Sequence, residues 1–301
     1  MAIPEFPEFM PIGLEHKLEV DRAFAQTEPT ISEFTFTNLF MWRYYYNISV
    51  SRILGHILFL ARPAGEQPFF YPPWGQGDSG QVVRRCLQFL AEKWGRGYIG
   101  RVSQDYIEKH ANSLEGLEII PDPVNDDYVY SSQDLIFLKG RKYHGKRNAI
   151  RKSQGKLTYE YRTIDKELIP LCLELQDRWG IQRQRELYSG LMEEERGVRE
   201  VFGNYEALGV KGGAIVVEGR VQAFSLGEGL NQDSFVVHVE KANPSIPVLY
   251  AVINQQFAQN EGSAYDYISR EQDLGHVGLR KAKKSYHPAF MVSKFKVGFK
   301  A

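Results

Sequence analysis

Residues 214–228 read AIVVEGRVQAFSLGE. Apolar side chains run through both arms, and Glu218-Gly219-Arg220 sits between them with glycine where a tight hairpin needs positive φ. The pattern predicts antiparallel strands over Gly213–Glu218 and Val221–Glu228, with a third, Ser234–Lys241, to follow. Upstream, Leu157–Arg162 (LTYEYR) alternates like a strand. Asp165 is placed to cap a helix whose apolar face is Leu168, Leu171, Leu175 and Trp179. A second helical segment covers Ser189–Leu208. Downstream, Pro247–Asn260 carries Leu249, Val252, Ile253 and Phe257 on one helical face. A strand Tyr265–Ser269, a short helix Gly278–Tyr286 and a final strand Phe290–Val297 complete the order. The sum is an α+β unit: a mixed, mostly antiparallel sheet flanked by helices.

The first half reads on the same template. Helical patterns cover Leu14–Gln26, Phe36–Tyr45 and Gln81–Trp94, the last strongly amphipathic with Val82, Val83, Cys86, Leu87, Phe89 and Leu90 as its apolar residues. Strands are expected at Tyr46–Ser51, His56–Ala61, Phe69–Tyr71, Tyr98–Val102 and Leu117–Pro121. The turn-rich stretch Pro121–Ser132 marks a boundary. The expected domains are therefore residues 1–132 and 133–301, the second including a basic linker helix over 139–156.

At 301 residues, 43% hydrophobic and 25% charged, the chain has the composition of a globular protein and not of a disordered or fibrous one. Lys plus Arg (37) balances Asp plus Glu (37), so no global basic coat exists for nucleic acid. The two cysteines, Cys86 and Cys172, sit in helical patterns and are expected as buried thiols in a reducing compartment. The opening MAIPEFPEFMPIG lacks a signal-peptide pattern, and the longest apolar stretch, Ile53–Ala61, falls far short of the ~20 residues of a spanning helix. A soluble, cytoplasmic protein without a transmembrane segment is the expectation. The seven histidines show no metal-ligand spacing, and no P-loop, Rossmann fingerprint or serine-hydrolase elbow is present.

The glycine-turned hairpin Ala214–Glu228 and the short helix Gly278–Tyr286 before the last strand resemble the GNAT acyltransferase fold. Two tandem GNAT-like (acyl-CoA N-acyltransferase-like) domains follow from that resemblance. Three longer stretches resemble one bacterial family, the catalytic C-terminal domain of phosphatidylglycerol lysyltransferase. They are Ser32–Tyr44 (SEFTFTNLFMWRY), Asp127–Asn148 (DYVYSSQDLIFLKGRKYHGKRN) and Tyr265–Pro288 (YDYISREQDLGHVGLRKAKKSYHP). The resemblance implies kinship with the Fem-type aminoacyl transferases, which move an aminoacyl group from tRNA to an amine or hydroxyl.

Residues 139–156 (KGRKYHGKRNAIRKSQGK) contain no acid. Unbroken positive charge repels itself and invites an anionic partner, so Lys142, Lys146, Arg147 and Arg151 are candidate phosphate ligands for tRNA or CoA. Arg280 and Lys284, four apart on a short helix, form a second candidate pair. In GNAT enzymes a donor pyrophosphate sits on backbone amides at the start of the helix after the fourth strand. The corresponding segment here is Asn243–Tyr250, with Ser245, Val248 and Leu249 as candidates and two prolines that remove donors. His238 and Glu240, two apart on one strand, are expected to share a face and are the candidates for proton transfer. Arg270, Glu271 and Asp273 follow the fifth strand, where the cleft mouth is expected, and a pair of Arg270 with Glu271 or Asp273 would do no more than fix that loop.

The expected function is acyl or aminoacyl transfer from aminoacyl-tRNA or acyl-CoA, as donor substrate, to an amine or hydroxyl on a lipid, peptide or small molecule. Alternatives are a non-catalytic nucleotide- or RNA-binding module and a CoA-dependent small-molecule N-acetyltransferase.

Overall fold

A computed structural model describes residues 2–77, 79–154, 157–182 and 189–300. Gly155 and Lys156, the end of the expected basic helix, lie outside them. The chain divides into two compact units, each built on its own sheet.

The first unit comprises Met1–Asp127, Gln272–Gly275 and Met291–Ala301. Its sheet runs in the spatial order Met10–Pro11, Ser49–Ile53, His56–Ala61, Phe69–Phe70, Tyr98–Ser103, Lys294–Gly298, Glu118–Pro121. Every pairing along it is antiparallel except Phe69–Phe70 with Tyr98–Ser103. The amphipathic helix Ser79–Trp94 buries Val82, Val83, Cys86, Leu87 and Leu90 against Leu58, Leu60, Phe70 and Val102, as its periodicity predicts. Both Cys86 and Cys172 are buried free thiols, and burial pushes both up.

The final strand departs from expectation. Residues 290–297 form two strands, not one. Phe290–Val292 borders the second sheet, whereas Lys294–Gly298 lies in the first, with Phe295 opposite both Val102 and Pro121. The physical reason is Lys294. Its side chain is fully buried, and Nζ donates to Glu33 Oε2 (2.5 Å) and Asp127 Oδ1 (2.8 Å). Arg101 continues the cluster, with Nε 3.0 Å from Glu33 Oε1 and Nη1 3.3 Å from Asp122 Oδ2. Arg101 itself adopts a left-handed backbone (φ 59°), which its buried ion pairs hold in place. Asp127 also accepts from the Ser32 amide and hydroxyl. Burial nonetheless pushes its carboxyl up to about 6 against the pull of Lys294.

The second unit comprises Tyr128–Glu271 and His276–Phe290. Its sheet runs Phe290–Val292, Asp127–Ser131, Tyr267–Ser269, Ser234–Ala242, Arg220–Gly229, Lys211–Val217, Glu160–Thr163. The hairpin that opens the sequence reading forms as expected. Val217 pairs with Arg220, and Glu218 (φ 49°) and Gly219 (φ 74°) make a two-residue turn with both φ positive. The helix Val248–Asn260 packs Leu249, Val252, Ile253 and Phe257 onto the face carrying Ile215, Ala223, Phe235 and Val237. Phe224 points to the other face, where it meets Phe202 of the helix Ser189–Gly203.

One pairing in this sheet is parallel, Ser234–Ala242 with Tyr267–Ser269. It lasts three residues, Ser234 to Val236 against Tyr267 to Ser269. Beyond it the chain after Ser269 stays with its other neighbour, since Arg270 N donates to Tyr128 O and Tyr128 N to Glu271 O. The sheet therefore splits between residues 237–242 and 270–271.

Removing one member of a buried ion cluster costs about 3–5 kcal/mol, whereas a half-exposed pair contributes ~1 kcal/mol or less. Lys294→Met is expected to destabilise the protein by about the larger amount, and Lys296→Met, whose side chain is 39% exposed near Asp122, by about the smaller. Urea unfolding of the two variants checks this; equal losses would show that Lys294 does not anchor its strand.

Candidate functional site

The split in the second sheet is bridged by side chains where the backbone ladder ends. Glu240, on the strand Ser234–Ala242, accepts from Arg270 Nη2 at 2.9 Å and from Asn254 Nδ2 at 3.1 Å. His238, two residues earlier, has Nδ1 2.8 Å from Glu271 Oε1 and Nε2 2.9 Å from Glu228 Oε1. Arg270 and Glu271 thus pair across the split with Glu240 and His238. A pair of Arg270 with Glu271 or Asp273 does not form, and Asp273 instead accepts from the Gly275 amide.

His238 and Glu240 do not share a face. Val237 pairs with Gly227 and Val239 with Leu226, so His238 is an extra residue, a β-bulge. The bulge reverses the alternation on which the expectation rested. Glu240 lies opposite Ser225 and lines a small enclosed space with Phe235, Val237, Asn254 and Phe257. His238 turns to the other face, towards Glu228, which stands opposite Val236 in the ladder.

On the Glu240 face a compact charged cluster forms. The Arg270 guanidinium lies 4.8 Å from the centre of the Tyr286 ring and 5.7 Å from that of Tyr130. Lys146 Nζ sits 3.5 Å from the centre of the same Tyr286 ring and donates to Ser285 Oγ at 2.9 Å. Burial and the Arg270 charge lower the Lys146 pKa to about 8, with Glu240 opposing them. Tyr286 is fixed from behind, because Tyr143 donates its hydroxyl to the Tyr286 carbonyl (2.7 Å) and Tyr130 donates to the Lys283 carbonyl (2.9 Å). Lys283 Nζ in turn donates to the Arg270 carbonyl. Three buried atoms on residues beside Glu240 lack a hydrogen-bond partner: Arg270 Nη1, a donor, Asn254 Oδ1, an acceptor, and the hydroxyl of Ser225, opposite Glu240 in the ladder. Such atoms are costly in a folded protein unless a ligand or water meets them.

The basic helix forms over His144–Gln154, after a single turn at Arg141–Tyr143. Its cations divide by task. Lys142 pairs with Asp134 at 2.8 Å. Arg147 Nη1 donates to the carbonyls of Leu138 and Gly140 (2.7 Å to the latter), closing the end of the helix Ser132–Phe137. Lys146 turns inward to the Glu240 cluster, and Arg151 stays exposed. One continuous phosphate-binding face therefore does not form from these four. Arg280, half-buried, and Lys284, exposed, share the helix Val277–Lys284.

The loop before Val248–Asn260 is closed on itself. The Ser245 amide donates to Asn243 Oδ1 (2.9 Å) and the Leu249 amide to the Ile246 carbonyl (3.0 Å). Val248 opens the helix, while the Leu249 side chain is buried in the core. Pro244 and Pro247 have no amide hydrogen to offer. A row of free amides for a pyrophosphate is thus missing at Ser245 and Leu249. Among the described residues no group of three or more His, Cys, Asp or Glu is placed to hold a metal ion, and no helix is long and apolar enough to cross a membrane.

Of the residues singled out in the sequence, the structure brings Glu240 and Lys146 to this cluster and turns His238 to the other face of the sheet. Tyr286, Ser225 and Asn254 were not singled out. Tyr286 lies inside a stretch already noted for its resemblance, but a lone tyrosine after four lysines and arginines carries no periodic signal.

Burial disfavours the charged form of His238, but hydrogen bonds to both Glu228 and Glu271 outweigh it and push its pKa up to about 9. A folded-state pKa above the unfolded value of ~6.5 means a contribution fully present below that pH and lost as pH rises through about 9. The urea midpoint of the protein should therefore exceed that of His238→Gln clearly at pH 6 and converge towards it by pH 10. A constant difference would show that the imidazole is not held charged.

A conserved protein of unknown function from Bacteroides thetaiotaomicron is 33% identical to this chain, covers 99% of it and 100% of itself, and superposes with a TM-score of 0.89. L-PGS from Bacillus licheniformis is 14% identical, with 99% of this chain and 94% of that one covered and a TM-score of 0.64. FemX is 10% identical over 96% of both chains, with a TM-score of 0.56. These two likenesses show the fold, α+β with two GNAT-like units. No curated protein matches the sequence. The family model described as phosphatidylglycerol lysyltransferase, C-terminal, matches residues 24–297, and the chain therefore belongs to that family.

Proposed function

We propose that the protein is an aminoacyl transferase that moves an aminoacyl group from tRNA to a hydroxyl or amine acceptor, with phosphatidylglycerol the first acceptor to test. The observation that carries the reading is Arg270 Nη1, a buried N–H without a partner at the split in the sheet, on a guanidinium already fixed by Glu240. Acyl transfer passes through a tetrahedral carbon whose carbonyl oxygen becomes negative. A pre-aimed donor at that oxygen stabilises the transition state more than the ground state. Arg270 carries such a donor, since one edge of its guanidinium is anchored by Glu240 and Nη1 has no protein partner. Glu240 is then a positioning residue that holds Arg270, and Asn254 steadies Glu240 in turn. The exposed cations Arg151 and Lys152 on the helix His144–Gln154 supply charge for tRNA phosphates.

The tRNA donor is favoured over acyl-CoA by the closed loop at Asn243–Tyr250. Its amides serve the loop itself at Ser245 and Leu249, whereas a CoA pyrophosphate calls for unengaged ones.

The test is incubation of the protein with radiolabelled bulk aminoacyl-tRNA and either phosphatidylglycerol vesicles or water-soluble amines. Label should leave tRNA for an acceptor, and Arg270→Gln should lower kcat by about 10²–10³-fold. Arg151→Ala with Lys152→Ala should keep the fold and flatten the salt dependence of tRNA binding. Label that stays on tRNA with every acceptor, from a folded protein that binds CoA instead, would overturn the reading.

A further inference from the structure

Two of the three most buried lysines among the described residues meet carboxylates, and the third, Lys283, donates to the Arg270 carbonyl. Lys294 has Glu33 and Asp127, and Lys241 has Glu194 at 2.6 Å. Lys146 is different. Its Nζ has a hydroxyl, Ser285 Oγ, and the face of the Tyr286 ring, and among the described residues it makes no ion pair with a carboxylate. The nearest acid, Glu240, is already engaged by Arg270 and Asn254. The charged and titratable groups around Lys146 come from four elements. Its own helical segment brings Lys142, tied to Asp134. The strand Ser234–Ala242 brings Glu240, and the chain after Ser269 brings Arg270. The segment after Val277–Lys284 brings the Tyr286 phenol, which burial keeps protonated well above its usual range, and Tyr143 lies behind it. A lysine serving only as a fixed charge gains from a counterion. One set beside a like charge on an aromatic ring is held where losing its proton relieves repulsion.

We propose that Lys146 is the proton carrier of this site. The proposal rests on the aminoacyl transferase reading. The neutral Lys146 amine takes the proton from the acceptor hydroxyl as its oxygen bonds to the ester carbonyl carbon. The resulting ammonium gives that proton to the ribose oxygen of tRNA as the carbon–oxygen ester bond breaks. One bond forms and one breaks, and the proton lost by the acceptor ends on the leaving group. Arg270 carries the negative charge on the carbonyl oxygen between the two steps. A group whose pKa lies near the working pH suits both halves of this exchange, and the lowered Lys146 value of about 8 agrees with it.

Two measurements test the proposal. The first is competitive acetylation of the intact protein with acetic anhydride from pH 6 to 11, read residue by residue by mass spectrometry. Lys146 should reach half-maximal reactivity near pH 8, well below the ~10.4 of a free lysine side chain. The second is transfer from labelled aminoacyl-tRNA as a function of pH. The wild-type kcat should rise through about 8. Lys146→Arg should lose about 10²-fold or more in kcat with the KM for aminoacyl-tRNA little changed, and Lys146→Ala should be partly restored by added methylamine. A Lys146→Arg variant with wild-type kcat would make the residue a point charge for an anion and overturn the proposal. Half-maximal labelling of Lys146 at the ~10.4 of a free lysine side chain, in a wild type that does transfer, would sink the proposal alone. A folded wild type that moves no aminoacyl group would sink the transferase reading and the proposal with it.

Discussion

Three residues of parallel pairing, Ser234–Val236 with Tyr267–Ser269, decide where the sheet of the second unit opens. Had the ladder continued in register, Val237 would lie beside Arg270 and His238 beside Glu271, and the sheet would be closed there. Because it stops, the two chains part, and side chains reach across instead. An ion pair across such a gap is less demanding of geometry than a ladder, and it leaves atoms over. Arg270 uses one edge of its fork on Glu240 and keeps another N–H unmatched. The cluster with Lys146 and Tyr286 is then a consequence of the split and of the rigid platform behind it, built by Tyr143 and Tyr130.

The bulge at His238 separates two tasks that the linear sequence superimposes. On one face the imidazolium joins Glu228 to Glu271, a closed arrangement with both ring nitrogens engaged. On the other, Glu240 holds an arginine that is only partly satisfied. The first arrangement is structural: it fixes the chain after Ser269 against the neighbouring strands. The second has atoms to offer a ligand. Residues two apart on one strand thereby differ in role, with the extra residue between ladder pairs as the cause.

What could be read from sequence followed the strength of local signals. The hairpin was legible because Gly219 sits at a turn that demands positive φ, and Ser79–Trp94 because its apolar residues repeat at helical spacing. The His238 bulge was not, since no glycine or proline marks it and Phe235–Val239 reads as an unbroken strand. The break at Ser293 was missed for a related reason: residues 290–297 are uniformly strand-like, and only a buried partner for Lys294 distinguishes one half from the other. A lysine in an alternating run looks solvent-facing until distant carboxylates are known. The basic stretch misled in the opposite way. Charge density pointed to one anion-binding face, but Lys142, Lys146 and Arg147 are each drawn to a different place by Asp134, Ser285 and two helix-end carbonyls.

The position of Lys294–Gly298 between Tyr98–Ser103 and Glu118–Pro121 bears on how the chain is made. During synthesis the two outer strands emerge well before the one that must lie between them. The nascent first unit has an open seam, with ladder groups unpaired on both sides and Glu33 and Asp127 awaiting their lysine. The second unit, whose sheet draws mainly on residues 127–292, can assemble while that seam is still open. The seam of the first sheet therefore closes only once residues 294–298 have been made. Until then the gap presents unpaired strand edges of the kind that invite mispairing, and a chaperone would find its target there.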